Sequence, residues 1–159
     1  EPFVRKTWQH RGNFLLTLAG MKDHHTKTKG DLGVLKAQAD LCEKGYLVCL
    51  PLSEHSPFDL VAYRDFVFRR IQVKSRSLRK GALTVRFESS YSDGRGVHSK
   101  RIDPAEVDLF CVYCLDTDQC FYFRLSDFEG RHTISLRVST TKNSQARRIR
   151  WADDYRKVP

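Results

Sequence analysis

Asp59, Gln72 and Lys74 are the residues of this chain whose types and spacing could do chemistry together. Asp59 closes the triplet Pro57-Phe58-Asp59, and Gln72-Val73-Lys74 follows thirteen positions later at the end of the next apolar run. Gln72 and Lys74 stand two residues apart in a strand-like segment, so both side chains leave the same face. Asp59 would arrive from the neighbouring strand of a hairpin. A hard oxygen ligand, a second oxygen ligand and a fixed cation would then meet at one point. Mg²⁺-assisted attack on a phosphodiester requires such a set.

The elements that must position these residues can be traced along the chain. Asp59–Tyr63 and Phe66–Lys74 form a hairpin about an Arg64-Asp65 turn. Its second strand puts Val67, Ile71 and Val73 on one face and Phe68, Arg70, Gln72 and Lys74 on the other. Ahead of it, Leu32, Leu35, Ala39, Leu41 and Cys42 recur near helical spacing and predict a helix from Asp31 to Lys44, closed by Gly45. Tyr46–Leu50 then reads as a short buried strand that stops at Pro51. Beyond the hairpin, Ala82–Glu88 predicts a strand, and Ser89–Arg101 a long polar, basic loop bending at Gly94 and Gly96. Val107–Leu115 predicts a buried strand paired with Cys120–Leu125 across Asp116-Thr117-Asp118, and Ile134–Val138 a last strand. A basic tail runs from Lys142 to Arg156, with a helical turn at Ala152–Tyr155. No repeat, linker or low-complexity tract divides the chain, so one domain is expected over residues 21–159. Residues 1–20 read as an extension, non-native or encoded upstream, because the only methionine is Met21.

Composition narrows the partners. Lys and Arg number 28 against 19 Asp and Glu, a formal charge of +9 that favours a polyanion such as nucleic acid. No apolar run approaches the roughly 18 residues of a membrane span, so no membrane partner is expected. The Phe14–Gly20 run is too short for an export signal. Five cysteines, an odd number, suit free thiols in a reducing, cytoplasmic setting, bacterial or organellar. Cys111 and Cys114 form a CxxC, but residues three apart on a strand face opposite ways and cannot share a zinc ion. They are expected in the core.

Order and residues together resemble the PD-(D/E)XK nuclease superfamily, and most closely its small branch of group I intron-encoded homing endonucleases. The resemblance runs from about Lys27 to the C-terminus. It is carried by Lys29-Gly30-Asp31-Leu32-Gly33, Gly45-Tyr46…Pro51, Pro57-Phe58-Asp59-Leu60-Val61 and Ile71-Gln72-Val73-Lys74. Val107-Asp108-Leu109-Phe110, Asn143-Ser144-Gln145 and Trp151–Tyr155 complete it. None of these motifs is specific alone; their order and spacing make the signal. The resemblance implies an α/β fold, a restriction-endonuclease-like mixed β-sheet core flanked by helices in a single domain, cleaving double-stranded DNA with Mg²⁺. On this likeness Asp59 is the anchoring metal ligand, Gln72 stands where most relatives keep Glu or Asp, and the Val73 carbonyl is a further ligand. Lys74 would orient or activate the attacking water and offset charge on the phosphate. Many relatives place Glu where Val34 stands, which leaves Asp31, one turn earlier, as the helix acid that would steer a metal-bound water.

DNA contacts are expected from Arg76, Arg79, Lys80, Arg86, Arg95, Lys100 and Arg101, and from a second group at Lys142, Asn143 and Gln145. Cutting both strands takes two active sites, so the likeness implies a homodimer, or a homotetramer on a long target. Two rivals keep the same charge: a Holliday-junction or restriction-type nuclease of this fold, and a basic nucleic-acid-binding module without catalysis. Gln72 and Val34, the two departures from the family pattern, favour the second rival.

Overall fold

The computed structural model describes residues 25–53, 55–140 and 149–159. The expected extension over residues 1–20 lies outside them, as do Lys142, Asn143 and Gln145. One mixed sheet organises the chain. Its strands are β1 (Leu47–Cys49), β2 (Leu60–Arg64), β3 (Val67–Arg76), β7 (Leu109–Cys114) and β8 (Gln119–Arg124), in the spatial order β1-β2-β3-β7-β8. β3 and β7 run parallel and every other pair antiparallel. Two further ribbons stand apart, β4 (Ala82–Arg86) with β9 (Thr133–Arg137), and β5 (Glu88–Asp93) with β6 (Gly96–Arg101).

Each face of the sheet has its own core. Ile71, Val73, Leu109, Cys111 and Tyr122 are buried beneath helix α1 (His25–Glu43). Phe110, Val112, Cys114, Phe121 and Phe123 are buried beneath the β4–β9 ribbon, which contributes Leu83, Val85, Ile134 and Leu136. Phe110 and Phe123 stack at 5.6 Å between ring centroids, an arrangement that adds about 1 kcal/mol beyond area burial. The expectation of helices flanking the sheet therefore holds on one face. On the other face the ribbon is joined by two short 3-10 turns, Leu125–Phe128 and the expected Ala152–Tyr155, which bury Leu125, Phe128 and Ala152. Cys111 and Cys114 are buried in opposite cores, as a strand's alternation requires.

The helix differs from its expected form in two ways. It begins at His25 rather than Asp31, because its first turns carry no apolar side chains and give no periodic signal. Its buried line is Gly33, Ala37 and Leu41, whereas Leu32 and Leu35 are exposed. Small residues face the sheet because the helix lies so close: a Cβ on Gly33 would sit 2.0 Å from Ser75 Oγ. At its C-terminus Tyr46 N–H donates to Leu41 O and Gly45 N–H to Cys42 O, a Schellman motif with Gly45 at φ +79°. The expected glycine stop is therefore present.

Two strand expectations also change. β1 is an exposed edge of three residues, not a buried strand: among the described residues it pairs only with β2, and Leu47 remains 58% exposed. Residues 88–101 are a β-hairpin rather than a loop, paired from Glu88↔Arg101 to Asp93↔Gly96. The β2–β3 tip falls at Asp65 and Phe66, one residue beyond its expected place, both with positive φ.

Candidate active site

The hairpin register places the chemistry. β2 pairs with β3 from Arg64↔Val67 to Leu60↔Ile71, and there β2 ends. Asp59 donates its N–H to Ile71 O at 3.0 Å, the last backbone bond between the two segments. From Gln72 to Arg76, β3 is paired only with β7. Even-numbered β3 residues turn their backbone groups toward β7, since Arg70 O accepts from Asp108 N–H and Arg76 O from Leu115 N–H. Odd-numbered residues therefore address the edge that β2 has vacated. Val73 N–H meets Asp59 Oδ2 there at 2.6 Å. The Val73 carbonyl leaves β3 along the same edge as its N–H.

Side-chain alternation completes the site. Ile71 and Val73 enter the core under α1, so Gln72 and Lys74 project from the opposite face, in register with Phe110 and Val112. Asp59, Gln72 and Lys74 line one cleft of about 520 Å³. The Gln72 amide nitrogen donates to Asp59 Oδ2. Both of these hydrogen bonds fall on Oδ2, which leaves Oδ1 available to a ligand.

Burial holds both charged groups nearer neutrality than they would be in water. It raises the Asp59 carboxyl above the usual carboxylate range, opposed by the Val73 N–H, the Lys74 charge and the Gln72 amide. It lowers the Lys74 ammonium, opposed by Asp59 and reinforced by Arg76.

The other expected site residues are distributed unevenly. Lys100 and Arg101 line the same cleft as Asp59. Arg76, Arg79 and Arg86 line a second cleft of about 720 Å³, which shares Ser90 with the first. Lys80 and Arg95 are exposed and line neither cleft; Lys80 O accepts a hydrogen bond from Arg137. Asp31 is exposed on α1 and also lies outside both clefts, while Val34 packs against the core under the helix. Lys142, Asn143 and Gln145 lie outside the described residues.

Sequence reasoning missed Glu106, Ser89, Ser90 and His55 in the first cleft and Lys29 in the second. Ser89 and Ser90 were hidden inside a presumed loop. Glu106 arrives through the parallel β3–β7 crossover, which leaves no local pattern.

The family described as PD-(D/E)XK endonuclease matches residues 24–158. Among solved structures, the chain is similar to a bacterial homing endonuclease, I-Ssp6803I, at 25% identity and a TM-score of 0.66, over 82% of this chain and 88% of that one. No curated protein matches it.

Proposed function

Since the chain belongs to the PD-(D/E)XK endonuclease family, we propose that it is a site-specific double-stranded DNA endonuclease of the intron-homing type, hydrolysing phosphodiester bonds with Mg²⁺. One observation carries this reading: Asp59, Gln72 and Lys74 converge on the open edge of β3, within a single cleft whose rim holds Lys100 and Arg101.

The residues present suit a hard divalent cation. Among the described residues no three His, Cys, Asp or Glu side chains cluster, so the donor set is a carboxylate, an amide oxygen and a backbone carbonyl. Asp59 Oδ1, the Gln72 amide oxygen and the Val73 carbonyl would hold the ion, and Gln72 must turn its amide to present oxygen. When bound, Mg²⁺ would acidify a coordinated water and offset charge on the phosphate. Of these three donors only Asp59 brings a negative charge, so binding through them is weaker than at a site with two carboxylate ligands. Asp31 lies outside the cleft and takes no ligand role in this proposal.

Lys74 acts from within the cleft. Its partly buried ammonium orients the attacking water and stabilises the charge that builds on the phosphate oxygens. The basic groups of the two clefts position the duplex through its backbone. Two copies are needed to cut both strands, and a long target calls for a homodimer or a homotetramer. Free thiols at Cys42, Cys49, Cys111, Cys114 and Cys120 suit the reducing cytoplasm of a bacterium or organelle.

Incubating the chain with a randomised duplex pool in Mg²⁺ and sequencing the cut ends tests this reading. The expected result is one recurrent cut site, absent in EDTA. Cutting that persists in EDTA would remove the metal mechanism. Cutting confined to four-way junctions would replace the homing type with a junction nuclease, and binding without cutting would leave a non-catalytic module.

A further inference from the structure

The β5–β6 hairpin lends Lys100 and Arg101 to the cleft, but most of its length has no role in the cleavage chemistry. Among the described residues it pairs with no other strand. Its base is anchored where Phe87 and Ile102 are buried and Ile102 N–H donates to Phe87 O at 3.0 Å. From Glu88↔Arg101 to Asp93↔Gly96 it spans six register pairs, about 20 Å of ribbon at the usual rise per residue. It rises where the two clefts meet, because Ser90 lines both.

Chemistry changes along this arm. Its base carries Lys100 and Arg101 on the catalytic cleft, the groups that suit phosphate. Between Ser90 and Ser99 the only Lys or Arg is Arg95, in the turn. The turn is ordered by Asp93 Oδ1, which accepts from Arg95 N–H at 2.7 Å and contacts His98 Nε2 at 3.0 Å. Directly paired residues share a face, and so do residues two apart, which puts Glu88, Ser90, Ser99 and Val97 on one side, where Ser99 Oγ donates to Glu88 Oε2 at 3.3 Å. That side includes Ser90, the residue common to both clefts, and Val97 on it is 81% exposed. A two-stranded ribbon fits the major groove of B-DNA, where hydroxyls bond base edges and an aliphatic group contacts the thymine methyl.

We propose that the β5–β6 arm enters the major groove beside the scissile phosphate, with Val97 and Ser99 reading base edges and Lys100 and Arg101 fixing the flanking phosphates. This rests on duplex DNA being the substrate, and it assigns sequence preference to an element separate from the cleavage residues.

The test is binding selection without divalent metal. The intact chain, Val97→Ala and Ser99→Ala are each mixed with a randomised duplex pool in EDTA, and the bound duplexes are sequenced. The wild-type chain is expected to enrich a run of base pairs. Each variant should lose about tenfold of that preference over the same one to three positions and keep the rest. Replacing thymine by uracil in that run should match the loss of Val97→Ala and add nothing further to that variant. Equal enrichment by all three proteins, no enrichment by the wild type, or a uniform loss of affinity would each overturn the proposal. Thermal melts that coincide with the wild type confirm that the substitutions leave the fold intact. Selection in EDTA involves no cleavage, so a chain that selects but does not cut overturns the proposed function and not the arm.

Discussion

Two ionic assemblies sit on the same strand and are handled in opposite ways. Arg70 forms a bidentate pair with Asp108, donating from Nη2 to Oδ1 at 2.7 Å and from Nε to Oδ2 at 3.0 Å, while its own backbone N–H also reaches Oδ2 at 2.7 Å. That pair is partly exposed, and its hydrogen bonds hold the Asp108 carboxyl below the usual range. Four residues further along, Lys74 and the Asp59 beside it are more deeply buried and each is pushed toward its neutral form. Arg70 and Asp108 satisfy each other and tie β3 to the start of β7. The cleft residues keep a carboxylate oxygen and an ammonium in reserve. Depth of burial decides the difference, because desolvation is the largest influence on Asp59 and hydrogen bonding to Arg70 the largest on Asp108.

The contrast can be broken or sharpened by substitution, starting with the largest effect. Lys74→Ala should lower single-turnover cleavage by on the order of 10³-fold while duplex affinity, measured in EDTA, stays within a few-fold; unchanged cutting would detach Lys74 from the chemistry. Gln72→Glu adds a second negative ligand and should lower the Mg²⁺ concentration for half-maximal cleavage by about tenfold. An unchanged metal requirement would mean that residue 72 does not ligate. Asp108→Asn should cost about 1 kcal/mol in denaturant unfolding, discounted for the exposure of its pair, with no change in metal requirement.

The two aspartates also make opposite predictions about pH. The folded state raises Asp59 above its unfolded value, so its contribution to stability is present below the ordinary carboxylate range and lost as pH rises through the raised value. The folded state depresses Asp108, so its contribution is present above that range and lost as pH falls through the depressed value. Asp59→Asn should therefore abolish metal-dependent cleavage yet raise the melting temperature at neutral pH, by about 2–4 °C for each kcal/mol released. Asp108→Asn should lower it. Thermal melts across pH 3–8 check both signs, and parallel curves for the two variants would erase the distinction.

The smallest effect belongs to the phosphate contacts. Arg86→Ala, in the second cleft, should flatten the salt dependence of duplex binding by about one counterion. A slope equal to that of the wild type would place the duplex elsewhere.

How much of this could be seen in the sequence depended on how local the signal was. Asp59, Gln72 and Lys74 could be placed together because strand alternation and a short hairpin fix their relation within sixteen residues of chain. The opposite burial of Cys111 and Cys114 followed from the same alternation. The β5–β6 arm was not legible, since Ser89–Ser92 and Gly94–Gly96 offer neither apolar alternation nor a β-branched run. The helix face was misplaced because close packing against β3 selected Gly33 and Ala37 over the larger Leu32 and Leu35. Glu106, Lys29 and the Arg70–Asp108 pair depend on contacts between segments far apart in sequence, which no local pattern encodes.

The parity of β3 constrains how this chain can change its length. Deleting or inserting a single residue between the hairpin tip and Ile71 would swing Gln72 and Lys74 toward α1 and send Ile71 and Val73 into the cleft. Changes by two would restore the alternation and shift only the tip. Length variants of this hairpin that retain cleavage should therefore differ by even numbers.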